Sequence, residues 1–290
     1  MTRGDSSSAS AADWCPLCGG ADARPLAPPG GTGRQTAAYA RCADCSHIYL
    51  HPIPAEETLE HHYRQLGLRG EDAGAVTRAP APILSPGGAE SYKVELLKSQ
   101  PHLATEGMVL EISFGARGFI FRESHAGWRG LVAGSEGEAA ADATGDSRGV
   151  RAFVEALREI RAETFGLLLM WDVVGRLPRP VEALRLAGRA LSADGHLIAT
   201  APNAVSLEAR VRKSHWYARQ GEAAPWRLQQ FNPRTLGLAL CEAGLFPEEV
   251  RAVAFEAALL SAALGHAGRW LGLPSAMAAT ARRNPLWEQA

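Results

Sequence analysis

The chain reads as an α/β protein, with a doubly wound, mainly parallel sheet behind a small N-terminal module held by four cysteines. Three observations predict it. Two Cys-x-x-Cys pairs, "CPLC" and "CADC", lie near the N-terminus. From Ser91 onward apolar strand-like runs alternate with helix-like runs, the pattern of parallel strands joined by crossover helices. One of those runs, "LEISFGARGF" from Leu110 to Phe119, carries an acid, Glu111, into a glycine-bearing turn.

Size and charge narrow the function classes. The 290 residues, 46% of them hydrophobic, suffice for one large domain and an appendage. A net charge of -1 gives no electrostatic case for nucleic acid or a membrane surface. The opening "MTRGDSSSASAAD" has no apolar core, so residues 1–12 are expected to be a disordered tail rather than a secretory signal. The most apolar later run, "VAFEAALLSAALG", contains Glu256 and is too short to span a bilayer. A cytoplasmic protein is expected.

The cysteines define the first module, residues 13–66. Each pair, Cys15 with Cys18 and Cys42 with Cys45, places two thiolates on one tight turn, and two such turns make a tetrahedral sulfur cage for structural zinc. Two disulfides are the alternative, and they belong to oxidising compartments. A cage of four cysteines leaves no open position for metal catalysis. His47 and His51 read as strand-edge histidines, and Cys241 as a thiol on the buried face of a helix. Between the pairs, "PPGGTGRQ" reads as a hairpin loop; after them come a strand, "HIYLHPIP", and a helix, "AEETLEHHYRQL". A Pro- and Gly-rich linker is expected over 67–90.

The large domain is expected over 91–250. "YKVELLKSQPHL" predicts a helix and "GMVLEIS" the first strand; a helix "GFIFRESHA" leads to the second, "WRGLVAG". "EGEAAADA" predicts a helix and "GVRAFV" a third strand. The fourth strand is Gly166 to Trp171, followed by the amphipathic helix "RPVEALRLAGRAL", a capping "SADG" and the fifth strand "HLIATAPN". "NPRTLGLALCEAGL" has an Asn-Pro helix start and ends at Gly244. Residues 251–290 are expected to be a helical extension. In such a Rossmann-like sheet, ligands bind beyond the C-terminal ends of the strands.

The paired-cysteine module running into "YLHP", the Glu111 turn, "LMWDVVGRLPRPVEALRLAGRALSADGHLIATAPN" and "FNPRTLGLALCEAGL" together resemble class I S-adenosylmethionine-dependent methyltransferases that carry an N-terminal zinc ribbon. The resemblance runs from Cys15 to about Val250 and implies the class I methyltransferase fold, an S-adenosylmethionine site and a small-molecule substrate in natural-product or sugar biosynthesis. It carries Glu111 and Gly115 onto the family's cofactor loop, with Ser113 and Arg117 at its first and third glycines. It puts Gly134 where a ribose-binding acid is usual, with Glu136 and Glu138 nearby. Trp171 and Asp172 match, whereas Gly175-Arg176 and Trp226-Arg227 stand where the family has acid-histidine pairs.

Two readings follow from these departures. In one, the chain is a small-molecule methyltransferase with an altered cofactor site, and His215 or Tyr217 of "KSHWYARQ" faces the acceptor. Methyl transfer from a sulfonium needs few protein groups, because proximity and orientation supply much of the acceleration. In the other, a pseudo-methyltransferase keeps fold and zinc and binds a different ligand, catalyses another step, or supports a partner enzyme or a second copy of itself. Arg117 and Arg176 could then form an anion pocket, against the plainer reading of Arg176 as a solvated surface residue.

Overall fold

The computed structural model describes residues 14–26, 38–55, 57–59, 91–100, 108–114, 128–133, 146–148, 150–212, 227–253 and 276–284. Three short antiparallel strands open the chain: β1 (Ala23–Pro25), β2 (Ala38–Cys42) and β3 (Ile48–His51). Helix α1 (Ser91–Lys98) precedes β4 (Met108–Phe114), β5 (Trp128–Ala133) and β6 (Asp146–Arg148). Then come α2 (Val150–Glu159), β7 (Phe165–Trp171), a 3-10 turn (Val174–Arg176), α3 (Pro180–Ala190) and β8 (Leu191–Pro202). The last described elements are α4 (Leu207–Arg212), β9 (Gln229–Gln230), α5 (Pro233–Glu242), β10 (Leu245–Val253) and β11 (Ala276–Arg283).

The large sheet has seven strands in the order β10-β11-β8-β7-β4-β5-β6. From β8 across to β6 every neighbouring pair is parallel, and β11 is antiparallel to both β8 and β10. The chain runs outward from β4 through β5 to β6, then returns to lay β7 on the other side of β4. That reversal makes the β4/β7 boundary the topological switch point, where open α/β sheets form a ligand crevice.

Burial explains the apolar runs. Leu167, Leu168, Leu169 and Met170 of β7 are all buried, as a central strand covered on both faces requires. On α3, Ala183, Leu184, Ala187 and Ala190 turn inward at helical spacing. An Asn232–Thr235 capping box with Pro233 behind it starts α5, so the Asn-Pro signal has its expected meaning.

Several expectations differ from the structure. "GVRAFV" is not a strand: the third strand ends at Arg148 and α2 begins at Val150. Val154, Leu157 and Ile160 pack against the core at helical spacing, and this periodicity outweighs the β-branched residues. "SADG" lies within β8, as an excursion between Leu191, opposite Phe165, and His196, opposite Leu167. Gly195 suits it because a Cβ there would sit 2.8 Å from the Phe165 carbonyl oxygen. The helical extension expected over 251–290 is overturned at Ala276–Arg283, which form β11 inside the sheet. Cys241 is exposed, not buried. The hairpin loop, the 67–90 linker, the "GFIFRESHA" and "EGEAAADA" helices and the 1–12 tail lie outside the described residues.

The cysteine module is joined to the large domain through a shared sheet. Gln229 and Gln230 of β9 pair with Tyr49 and Ile48 of β3, giving a four-stranded sheet in the order β1-β2-β3-β9. Cys15, Leu17, Tyr49 and Leu59 belong to the same apolar cluster as Val173, Leu177, Leu228 and Phe231. A module this small has little core of its own, and here it borrows one.

Candidate functional site

The four sulfurs of Cys15, Cys18, Cys42 and Cys45 all lie within 4.8 Å of one another. Cys15 and Cys45 are 3.7 Å apart at sulfur, Cys18 and Cys42 3.6 Å, and no disulfide joins them. A tetrahedron of sulfurs with zinc–sulfur bonds of about 2.3 Å has edges of about 3.8 Å, so the donor set fits zinc. The two turns match locally. Gly19 and Ser46, each following the second cysteine of its pair, have φ of 73° and 64°, and the Gly19 and Ser46 amides donate to the Cys15 and Cys42 carbonyls. Gly20 permits the turns to meet, since a Cβ there would fall 2.1 Å from Asp44 Oδ2 and 3.3 Å from Cys42 Sγ. Burial pushes the Cys15 thiol up, and the Cys45 thiol up to about 12. A cation among the sulfurs supplies what thiolates in that position need.

The second site is the switch point. Glu111 on β4 is fully buried, and its Oε1 accepts a 2.7 Å hydrogen bond from Trp171 Nε1 on β7. Lys93 of α1 is also buried and lies over the Trp171 ring, 5.2 Å from its centroid. Ser113, two residues beyond Glu111, is buried and registers with Trp171. One acid, one indole and one ammonium are thus stacked on the α1 side of the sheet.

Beyond Trp171 the chain turns at Asp172, with φ 55°, a left-handed conformation that an aspartate tolerates better than most residues. Its amide donates to Thr200 Oγ1 of β8 at 3.1 Å. Its carboxylate accepts a fork from Arg227, Nη1 to Oδ1 and Nη2 to Oδ2, the latter at 2.8 Å. Arg176 Nη2 donates to Oδ2 at 2.8 Å while its Nε donates to the Asp172 carbonyl at 3.1 Å. Burial alone would raise this carboxyl, but the guanidiniums of Arg227 and then Arg176 outweigh it and hold it below the usual carboxylate range. Asp172 is therefore a fixed anion, saturated with donors, and is unsuited to take a proton. Arg176 is not a solvated surface residue: its side chain is 12% exposed and ion-paired.

The segment carrying Arg227 is fixed from the ribbon side. Tyr39 Oη donates to the Arg227 carbonyl at 2.5 Å and accepts from Gln230 Nε2 at 3.1 Å. The Leu50 amide donates to the Leu228 carbonyl at 2.8 Å. Gln229 bridges the two units, with Oε1 3.0 Å from His47 Nε2 and Nε2 donating to the Leu177 carbonyl at 3.0 Å. His47 is fully buried, and burial pushes its pKa down to about 4, so the neutral ring donates from Nε2 to Gln229. It stands at the start of β3, directly before Ile48, and there serves as a strut between ribbon and domain.

Of the residues expected on the cofactor side, Glu111 and Ser113 lie on β4, Trp171 ends the neighbouring β7 and Asp172 follows it. Gly115, Arg117, Gly134, His215 and Tyr217 lie outside the described residues. Arg227, Tyr39 and Gln229 were missed as partners, because residues so far apart in sequence form no local pattern. The one available signal was the arginine at 227 where the resemblance has part of an acid-histidine pair.

No protein-family model and no curated protein matches the sequence. Solved structures do match in fold. The [4+2]-cyclase SpnF aligns with a TM-score of 0.50 at 14% identity, over 80% of this chain and 98% of its own. The chain has the class I methyltransferase fold. Methyltransferase structures also align, at a TM-score of 0.48. One is 1,6-didemethyltoxoflavin-N1-methyltransferase from Burkholderia thailandensis, with 1,6-didemethyltoxoflavin and S-adenosylhomocysteine bound (15% identity; 89% of this chain, 99% of that chain). Another is an S-adenosylmethionine-dependent methyltransferase from Archaeoglobus fulgidus (17% identity; 68% of this chain, 95% of that chain). At these identities the likeness establishes the methyltransferase fold, and the reaction has to be argued from the site. No helix among the described residues is long and apolar enough to cross a membrane.

Proposed function

We propose that the chain is a methyltransferase-like enzyme of small-molecule biosynthesis, acting on a natural-product or sugar intermediate, with an altered S-adenosylmethionine site and a structural zinc ribbon. The observation that carries this reading is Glu111. Burying a carboxylate on a central strand carries a desolvation cost, and Glu111 bears it at the switch point, where its Oε1 accepts from the Trp171 indole. Residues retained at such expense cluster at ligand sites. Glu111, Ser113, Trp171 and Asp172 would line the cofactor side, and the family resemblance adds Gly115, Arg117 and Gly134 to that set. The bound sulfonium would supply an activated methyl group. The chain's own part is to orient the acceptor and exclude water, since Asp172 is locked by two arginines and offers no base. His215 and Tyr217 remain the acceptor-facing candidates. The paired thiols, spaced for zinc rather than joined as disulfides, fit a reducing cytoplasm.

Calorimetric titration of the zinc-loaded protein with S-adenosylmethionine and S-adenosylhomocysteine tests this. Micromolar binding of either is expected; a folded, zinc-loaded protein that binds neither overturns it. That outcome leads to the second reading, a pseudo-methyltransferase that binds another ligand, catalyses a non-methylation step or supports a partner enzyme. Arg176 and Arg227, standing where the resemblance has acid-histidine pairs, are the observation in its favour.

A further inference from the structure

We propose that Arg227, held between Asp172 and the ribbon's Tyr39, recognises an anionic group, carboxylate or phosphate, on the small molecule that enters the β4/β7 switch point. The inference rests on the reading that a small molecule binds there, and it names that molecule's chemistry. Four observations carry it.

The first is place. Asp172 directly follows the last residue of β7, so the Arg227 fork stands at the sheet edge where doubly wound folds bind ligands. The second is donor count. A guanidinium has five N–H donors, and Arg227 spends one from each Nη on Asp172. Among the described residues, Nε–H and the two outer N–H groups have no acceptor and remain for a planar anion, which guanidinium recognises in forked geometry. The third is charge. The Asp172 carboxylate faces two guanidiniums, Arg227 and Arg176, so the potential around this anion is already drawn positive. The fourth is rigidity. Tyr39 holds the Arg227 carbonyl and β3 holds Leu228, so little side-chain or backbone freedom is lost when an anion docks.

Exposure fits the same role. The Arg227 side chain is 16% exposed and that of Asp172 19%, enough for contact at the edge and little enough to weaken competition from water. Asp172 then acts as a positioning residue: it aims the guanidinium and takes no part in proton transfer. The ribbon supplies the opposite hold, which gives the zinc module a role at the substrate side of the domain.

The test uses the full-length zinc-loaded chain, titrated with inorganic phosphate and separately with malonate at fixed ionic strength. Saturable binding of at least one anion is expected, weakened tenfold or more in Arg227→Gln. Arg227→Lys keeps the charge and loses the fork, so it should also bind several-fold more weakly while its thermal melting stays cooperative; this variant serves if Arg227→Gln fails to fold. Preference for phosphate or malonate identifies the group on the ligand, and either supports the proposal. No saturable binding by the wild type, or equal affinity in Arg227→Lys and wild type, overturns it. Titrating S-adenosylhomocysteine into the same samples separates the two readings. Cofactor binding without anion binding sinks this inference alone, and anion binding without cofactor binding sinks the methyl-donor reading alone. Displacement of the anion by S-adenosylhomocysteine would assign the contact to the cofactor's carboxylate and overturn the assignment to a second molecule.

Discussion

Trp171 Nε1 donates to Glu111 Oε1 across the β4/β7 switch point, and both side chains are buried. This bond ties the acid of the first strand of the large sheet to the end of its neighbour, so the shape of the switch point depends on an indole. Trp171→Phe keeps most of the apolar volume and removes the donor, leaving the carboxylate short of a partner at a cost of about 1–3 kcal/mol. A double-mutant cycle with Glu111→Gln, read from denaturant midpoints, should give a coupling of about 0.5–3 kcal/mol. Coupling within error of zero would show that the bond contributes nothing.

Acid should destabilise the protein in a way that reports on Asp172. Its folded carboxyl titrates below its unfolded value of about 3.9. The stability contributed by the Arg227 and Arg176 pairs is therefore present above that value and lost as pH falls through the lower, folded one. Asp172→Asn removes the charge yet suits the left-handed backbone at this position. It should cost up to about 3–5 kcal/mol at neutral pH, as for breaking a buried pair, and flatten the fall in stability below about pH 4. An unfolding free energy with the same acid limb in both proteins would exclude Asp172 as its source.

Much of this fold was legible because β4, β5, β7 and β8 each carry a short apolar run and α3 and α5 repeat with helical period. The sheet's far edge was not. β11 is "AMAATARR", whose alanines read as helix, yet all of Ala276 to Ala281 are buried in a strand flanked on both sides. Small side chains suit that crowded position, and tertiary context overrides propensity there. β9, with two residues, is too short for any period to show. At the site, the strand-borne residues could be placed from the sequence, whereas the Asp172–Arg227 pair spans 55 positions and depends on how the ribbon docks.

The cofactor turn offers a test built on sequence alone. The family resemblance puts Arg117 where backbone would approach the methionine end of the cofactor, and Gly134 where an acid would grip the ribose. If these two residues weaken cofactor binding, Arg117→Gly combined with Gly134→Asp should tighten S-adenosylhomocysteine binding about tenfold or more, the equivalent of about 1.4 kcal/mol. An unchanged titration would remove them as the cause.

Metal and fold should be lost together. Purified, reduced protein is expected to contain about one zinc per chain. Because the ribbon shares an apolar cluster with Val173, Leu177 and Phe231, and Gln229 joins His47 to Leu177, chelation should lower the melting temperature of the whole chain rather than release a separate early transition. A calorimetric trace in which the large domain melts unchanged after zinc removal would show that the two units are energetically independent.

The C-terminal strand gives the sharpest contrast between a docked tail and an integral element. β11 pairs along its length with β8 on one side and β10 on the other. Truncation after residue 275 would strip the hydrogen-bonding edge from β8, uncover buried Ile198 and Leu197, and leave β10 without a strand partner among the described residues. Unpaired, apolar strand edges promote aggregation, so the shortened chain should be insoluble or lack a cooperative thermal transition. A tail merely packed on the surface would come off with a small loss of stability. A truncated protein that stays monomeric and melts cooperatively would therefore show that the sheet closes without β11.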